Sequence, residues 1–355
     1  MPLSWLYGIG TALRNTLYNN GVLKSHAYNI PIINVGNITV GGTGKTPHIE
    51  YLVRLLSPHY RVAILSRGYK RRSRGYVLAS TDTPMQKIGD EPWQMKQKFP
   101  DIHVAVDSNR CRGIERLCTD SATKDLQVIL LDDAFQYRRV RAGLSILLVD
   151  YHRMITDDRL LPAGRLREAA GGKDRADVVV VTKCPPSITP MGFRVIQSAL
   201  HLKPFQSLFY STVRYGLLRQ LNGETTMRLE ELRGLDMHIL LLSGIGNPLQ
   251  LEQDMRRYAQ HVTPMPFADH HYFNAHDLML VRQAFEQLPA PRIIITTEKD
   301  ASRLSHTNGL EASLKENIYV LPIEVEFMRN KSNTFNQKVK DYVRQNPRNG
   351  NLAQG

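Results

Sequence analysis

The sequence is poor in cysteine and tryptophan, and its first 49 residues contain no acid. Three cysteines, Cys111, Cys118 and Cys184, are too few and too oddly spaced for a disulfide framework or a zinc knuckle in 355 residues. A reducing compartment and a fold held by its own core are expected. No apolar run approaches the roughly 20 residues that a membrane-spanning helix needs. The start lacks the charged region, continuous apolar stretch and small-residue cleavage site of a signal peptide. With 42% hydrophobic and 22% charged residues, the composition excludes disorder as the main state. HExxH is absent, and Asp269, His270, His271 and His276 have no accompanying cysteine or glutamate at ligand spacing, so they are not read as a metal centre. No RNA-binding aromatic signature, zinc finger or basic zipper is present, and no nucleic-acid partner is expected.

What the chain does have is basic charge, a net +13. Six basic residues and no acid fall between Arg61 and Arg74, and smaller groups stand at Arg138–Arg141 and Arg165–Arg175. Such clusters suit nucleic acid, anionic lipid or a phosphorylated substrate, the alternative being a solvated surface. At the N-terminus Leu6, Ile9, Leu13 and Leu17 recur at helical spacing with Trp5 alongside. That pattern predicts a helix lying in a membrane interface, the alternative being a helix packed on the protein's own core.

Short β-rich runs apolar on both faces alternate with helical stretches, as in a parallel sheet covered by helices. Strands are predicted at Ile32–Val35, Val62–Leu65, Ile102–Val106, Val128–Leu131, Ile146–Val149 and Val178–Val181, with helices at Gly44–Leu56, Glu91–Phe99 and Asn109–Cys118. A second series holds strands His238–Leu242, Arg292–Thr296 and Tyr319–Leu321 and one near Val262, with helices Pro248–Gln260 and Ala275–Gln287. The fold class is α/β: a parallel-sheet domain, variant P-loop NTPase-like by its glycine-rich strand–loop–helix segment Pro31–Pro47 with Lys45-Thr46, plus a second, smaller α/β domain. The expected organisation is a membrane-associating helix over 1–30, a P-loop domain over 31–205 and a linker over 206–235 that can hold a small sheet. A second α/β domain over 236–325 and a C-terminal helix and frayed tail over 326–355 complete it.

The strongest local signal is Pro31–Pro47, PIINVGNITVGGTGKTP. A buried strand runs into a glycine-rich turn, then Lys45-Thr46, then a helix. Glycines let backbone N–H groups curl around phosphate oxygens, and the helix N-terminus adds positive charge there. The strict pattern asks for glycine at 39, where this chain has Thr39, so the loop is a variant. Thr39, Val40, Gly41, Gly42, Thr43, Gly44, Lys45 and Thr46 are the expected ATP-binding residues, with Lys45 facing solvent. The second element of such a site is an apolar strand ending in acid, and Val128–Leu131 followed by Asp132-Asp133 supplies it. Thr46, Asp132 and Asp133 are the expected Mg²⁺ ligands. Val181-Thr182-Lys183-Cys184 is loosely like the base-reading T/N-K-x-D of GTPases, but Pro185 replaces the aspartate and the segment reads as a strand end.

With these pieces together, the chain resembles the tetraacyldisaccharide 4'-kinase family, the lipid A 4'-kinases of Gram-negative bacteria. The markers run in order over residues 5–325: VGNITVGGTGKTP at 35–47, LSRGYKR at 65–71, GDEP at 89–92 and LLDDAFQ at 130–136, then LLPAGRLRE at 160–168, GIGNP at 244–248, ADHHYF at 268–273 and TTEKDA at 296–301. Tyr137 stands where the family has histidine, and Ala169 where it has proline. The resemblance implies transfer of the γ-phosphate of ATP to the 4'-hydroxyl of a tetraacylated glucosamine disaccharide 1-phosphate, by a peripheral enzyme on the cytoplasmic face of the inner membrane. Its partners are then the anionic acylated disaccharide and the membrane surface, with no obligate protein partner. It implies that Asp90 accepts the hydroxyl proton, paired with His270 of the second unit. It also implies that Arg67, Tyr69, Gln136 and Glu168 contact substrate and that Arg167 stabilises charge on the transferred group. Asp90 reads equally as a helix start, and Thr297–Asp300 as a capping box without chemistry. The rivals are a P-loop ATPase switch of the membrane-associated cell-division-positioning type and a basic nucleic-acid-binding ATPase. Neither explains the SRGY, GDEP and DHH set.

Overall fold

The computed structural model describes residues 2–246, 248–269, 271–305, 307 and 309–346. The first eight strands are β1 (Ile32–Gly36), β2 (Val62–Ser66), β3 (Val77–Ala79), β4 (His103–Val106), β5 (Val128–Asp132), β6 (Leu144–Asp150), β7 (Val178–Thr182) and β8 (Ser207–Tyr215). They are followed by β9 (Leu218–Gln220), β10 (Thr226–Met227), β11 (His238–Ser243), β12 (His261–Pro266), β13 (Arg292–Thr297), β14 (Ile318–Leu321) and β15 (Ile323–Phe327). The chain divides into two compact units, one of residues 1–213 with 325–355 and one of residues 214–324.

The first unit is built on a nine-stranded sheet in the order β15-β8-β7-β6-β1-β5-β2-β4-β3. β8 through β4 run parallel, and the short β3 closes one edge antiparallel to β4. Both faces of the central strands are buried, as their unbroken Val, Ile and Leu content demands. β1 sits mid-sheet with Val35 opposite Asp132 of β5 and Ile146 of β6. The glycine loop after β1 and the acids after β5 therefore leave the same C-terminal edge. In open parallel sheets ligands collect at that edge.

One face packs the helices Lys45–Leu56, Asp90–Lys98 and Ser332–Arg344 into a core with Ile33, Val35, Leu52 and Leu130. The C-terminal helix is anchored there by Phe335 stacked on Phe327 at 4.2 Å and edge-on to Phe209 at 5.3 Å. Its Tyr342 hydroxyl accepts from the Ile32 amide at 3.0 Å and donates to the Ile32 carbonyl at 3.1 Å, fixing the start of the P-loop strand. The other face carries the helices Arg110–Thr119 and Pro190–Leu200.

The second unit holds a six-stranded sheet in the order β10-β9-β14-β13-β11-β12. β11, β12, β13 and β14 are parallel, and β9 and β10 add an antiparallel edge. The span 206–235 is thus divided: β8 joins the first sheet between β7 and β15, while β9 and β10 belong to the second. Elements not predicted from the sequence include β3, β9, β15 and the helix Pro190–Leu200. The helix expected over Pro248–Gln260 ends at Met255.

Candidate active site

The loop leaves β1 and enters its helix through Gly44, whose φ of +83° and that of Gly41 at +113° are left-handed positions that favour glycine. Among the described residues, no amide from Gly41 to Thr46 donates to a protein acceptor. The loop is braced from within by the Asn37 side-chain amide, which donates to Thr43 Oγ1 at 2.8 Å. Thr39 pairs with Leu166, the Val40 amide donates to the Arg165 carbonyl, and the Arg167 amide donates to the Ile38 carbonyl, each at 2.8 Å in the two hydrogen bonds. The LLPAGRLRE segment therefore lies against the phosphate loop. Val40 is exposed, while Thr39, Thr43 and Thr46 are buried.

Behind the loop, His48 is 6% exposed, with Nδ1 at 2.7 Å from the Gly44 carbonyl and Nε2 at 3.1 Å from Ser211 Oγ. Burial pushes its pKa down to about 4, so the ring is neutral. A carbonyl can only accept, so Nδ1 carries the proton and the Ser211 hydroxyl donates to Nε2.

Three carboxylates gather beyond the loop. Asp133, at φ +48°, meets Lys45 Nζ at 3.6 Å and Arg167 Nη1 at 3.2 Å. Burial raises its pKa, but Lys45 and Arg167 more than reverse this and hold it below the ordinary carboxylate range. Asp132 accepts from Ser66 Oγ at 3.1 Å. Burial, then Glu91, then Asp133 push it up to about 7, against the pull of Lys45. Glu91 accepts from Thr46 Oγ1 at 3.4 Å. Lys45, expected to face solvent, is instead 13% exposed at its side chain and committed to Asp133.

Hard oxygen donors on Thr46, Asp132 and Glu91, with an ionised Asp132 made costly by its neighbours, fit a small divalent cation. Arg110 is 3% exposed and faces Asp132, Arg67 and Asp133, with its guanidinium 5.6 Å from the centroid of the Tyr137 ring. Tyr137, in place of the family histidine, donates to Asn109 Oδ1 at 3.0 Å.

Gln136 donates to the Asn37 carbonyl at the root of the loop. Arg67 and Tyr69 are exposed. Glu168 is fully buried, accepting from Arg175 at 2.8 Å and from Asn15 of the N-terminal helix at 3.1 Å. Asp90 opens its helix behind Gly89, which occupies the cap position, and its Oδ1 accepts from the Glu91 amide at 3.0 Å. Gly89 has φ +94°, and a Cβ there would stand 2.8 Å from the Tyr69 carbonyl, so GDEP and SRGY are packed backbone to backbone. His270 lies outside the described residues. His271 is committed within the second unit: its Nε2 is 2.8 Å from Asp277 Oδ2, and its ring stacks on Phe267 at 5.0 Å.

Sequence reasoning missed Glu91, Ser66, Arg110, His48 and Lys183. Glu91 was hidden because an acid in a first helical turn needs no further reason. Lys183 had a signal in TKC, set aside because position 185 is proline.

The helix Pro2–Asn19 rests on this site. Tyr7 donates to the Arg167 carbonyl at 2.7 Å, Ser4 accepts from the Ala163 amide at 3.1 Å, and Arg138 donates to the Asn15 carbonyl at 2.8 Å. Leu3, Trp5, Leu6, Ile9 and Leu13 point away and are at least 60% exposed, whereas Leu17 is half-buried. No helix among the described residues is long and apolar enough to cross a membrane.

The family model described as tetraacyldisaccharide-1-P 4'-kinase matches residues 1–344. A tetraacyldisaccharide 4'-kinase from Phocaeicola vulgatus is 53% identical over 354 residues, covering 99% of this chain and 96% of that protein. One from Flavobacterium johnsoniae is 41% identical over 346 residues, covering 97% and 96%. The crystal structure of LpxK from Aquifex aeolicus in complex with ATP is similar at a TM-score of 0.73 and 28% identity, covering 96% of this chain and 98% of that one. The chain belongs to the tetraacyldisaccharide 4'-kinase family.

Proposed function

We propose that this chain transfers the γ-phosphoryl group of ATP to the 4'-hydroxyl of a tetraacylated glucosamine disaccharide 1-phosphate in lipid A biosynthesis. The observation that carries the reading is a junction. Arg167 bonds Asp133 through its side chain, the phosphate loop through its amide, and Tyr7 of the apolar-faced N-terminal helix through its carbonyl. One residue thus joins the phosphate machinery to a surface suited to lipid.

Phosphoryl transfer needs positioning and electrostatic stabilisation more than covalent chemistry. The loop amides and Lys45 cradle the phosphates. Thr46 and Asp132, with Glu91 beside them, are the residues that would hold Mg²⁺, whose charge offsets that of the β- and γ-phosphate oxygens. Asp133, held ionised, keeps Lys45 and Arg167 oriented, and Arg167 meets charge developing on the transferred group. Asp90 accepts the proton as the acceptor oxygen attacks phosphorus and the bond to the ADP oxygen breaks. His270 keeps the assisting role the family resemblance gives it. The exposed Arg67 and Tyr69 are assigned to the lipid headgroup; Glu168, buried under Arg175 and Asn15, supports the N-terminal helix.

The helix Pro2–Asn19 is proposed to dock on the cytoplasmic face of the inner membrane, with Trp5, Leu6, Ile9 and Leu13 in the interface and no obligate protein partner. Leu6→Asp with Leu13→Asp should release the protein from anionic vesicles while ATP binding persists; unchanged partitioning would sink the docking role.

The reaction itself is tested by incubation with ATP, Mg²⁺ and a lipid extract from cells depleted of this protein, scored by mass. A lipid gaining one phosphate is expected. ATP hydrolysis without such a product would instead favour the P-loop switch.

A further inference from the structure

The back of the phosphate loop carries contacts that neither the family markers nor the expected ligands account for. Lys183, just past β7, has φ +57°, and its Nζ donates to the Gly42 carbonyl and, at 2.8 Å, to Asp150 Oδ2 at the end of β6. Thr182 Oγ1 donates to the Thr43 carbonyl at 3.0 Å. The Gly44 carbonyl receives His48 Nδ1 at 2.7 Å. Three consecutive loop carbonyls are therefore tethered by side chains from β7 and from the helix that follows the loop.

A trans peptide holds its C=O and the next N–H in one plane and pointing oppositely. Among the described residues, cis peptides occur only at Leu161-Pro162 and Ala290-Pro291. Tying the carbonyls of Gly42, Thr43 and Gly44 thus turns the amides of Thr43, Gly44 and Lys45 away from their tethers. Among the described residues, those amides have no protein acceptor. The topology agrees: β6 and β7 are the two strands next to β1 on the side opposite β5. The acids after β5 thus lie to one side of the loop and the tethers to the other.

We propose that Lys183 is a positioning residue of the nucleotide site, acting with Thr182 and His48 to hold the loop carbonyls back so that its amides are preset for phosphate. Asp150 orients Lys183 and is itself held by accepting from the His152 amide at 2.9 Å. The inference rests on the reading that this loop binds the phosphates of ATP. A preset cradle lowers the reorganisation needed on binding, so its loss is read in nucleotide affinity rather than in the chemical step.

The test is titration of the full-length protein with a fluorescent ATP analogue and Mg²⁺, alongside steady-state kinetics with ATP and the lipid acceptor. Lys183 is about one-third exposed at its side chain, so its variants should fold. Lys183→Ala should weaken nucleotide Kd and raise KM for ATP by about tenfold or more, as for loss of a charged hydrogen bond. Its kcat at saturating ATP and its KM for lipid should stay within about threefold. Lys183→Arg should recover most of the affinity, and Lys183→Met, which keeps the stem without the donor, should behave like alanine. His48→Asn, which can still offer an N–H to Gly44, should bind nucleotide better than His48→Leu.

Nucleotide affinity within twofold of wild type in Lys183→Ala would overturn the proposal, as would a fall in kcat with affinity unchanged or near-wild-type binding by Lys183→Met. Wild-type protein that binds nucleotide, loses it on Lys183→Ala, and phosphorylates no lipid would remove the kinase reading and leave the tether standing. Normal lipid phosphorylation with tight binding by Lys183→Ala would do the reverse.

Discussion

Each unit has a parallel strand that ends in a glycine loop followed by a helix: β1 with Gly41–Gly44, and β11 with Gly244 and Gly246. The two loops use their backbone differently. In the second unit the Gly244 amide already donates to Asp300 Oδ2 at 2.9 Å. Asp300 also accepts from Thr297 Oγ1 at 2.7 Å and from Arg303 Nη1 at 3.0 Å, and Arg303 reaches the Gly244 carbonyl at 3.4 Å. That loop carries its own anion, buried and neutralised. In the first unit the carbonyls are tethered, and among the described residues the loop amides have no protein acceptor. A glycine-rich strand–helix junction is thus an anion site only where its N–H groups are spare, and the residues that decide this lie far away in sequence.

Removing the internal anion should have the largest effect. Asp300→Ala removes a carboxylate partner from Arg303, whose side chain is 1% exposed, and the acceptor of the Gly244 amide. Breaking one side of a buried pair costs about 3–5 kcal/mol. Denaturant melts should show that loss, and a change under about 1 kcal/mol would mean the second loop does not depend on its aspartate.

The matching change in the first unit acts on chemistry. Lys45→Ala should lower kcat by about 10²–10³, the range for removal of a preorganised donor. Because Asp133 keeps Arg167, the cost to folding should be smaller than for Asp300→Ala. Near-normal turnover would dismiss the P-loop as the phosphate site.

His271 sharpens the contrast from another direction. Burial raises the pKa of Asp277, but its bonds to His271 and to the Asn274 amide outweigh that and lower it. A depressed carboxylate contributes stability above its unfolded pKa and loses it as pH falls through the folded value. His271→Ala should cost about 1 kcal/mol near neutral pH, and the deficit should shrink in acid. The change in kcat should be small, since this imidazole serves the cap of the helix Ala275–Glu286. A large fall in kcat at unchanged stability would transfer the catalytic role from position 270 to 271.

How much of this was legible follows from the range of each interaction. Strands buried on both faces announce themselves by unbroken apolar runs, so the central strands of both sheets stood out. β3 and β15 lie at sheet edges, are half-buried, and blend with polar surroundings. The loop and the Asp132-Asp133 pair were found because local spacing encodes them. Lys183 lies 141 residues from Gly42, and His48 lies 163 from Ser211. Spacing has nothing to say about such pairs; only the order of strands brings them together. Asp90 shows the converse, since a helix start and a catalytic carboxylate look alike in sequence, and here Gly89 rather than Asp90 takes the cap.

The smallest effect tests whether the first site is built for a cation it does not itself supply. Asp132 has a folded pKa raised to about 7 by burial, Glu91 and Asp133. A raised group contributes stability in full below its unfolded pKa, near 4 for a carboxylate, and loses it as pH rises through the folded value. Without Mg²⁺, then, the wild-type protein should weaken between about pH 4 and pH 7 on account of this group, then level off. Asp132→Asn removes the charge and keeps an oxygen to accept from Ser66. Near pH 4 the variant should match wild type. At pH 8 without Mg²⁺ it should be more stable by about 1 kcal/mol, a rise in Tm of roughly 2–4 °C. Added Mg²⁺ should stabilise the wild type and leave the variant nearly unmoved, reversing their order. Turnover should fall in the variant under all these conditions. The second unit predicts the opposite sign, because its aspartate is already paired and removing it only destabilises. If Asp132→Asn proves destabilising at pH 8 without Mg²⁺, the carboxylates of the first site are satisfied by Lys45 and Arg167 alone, and the difference drawn between the two loops does not extend to their acids.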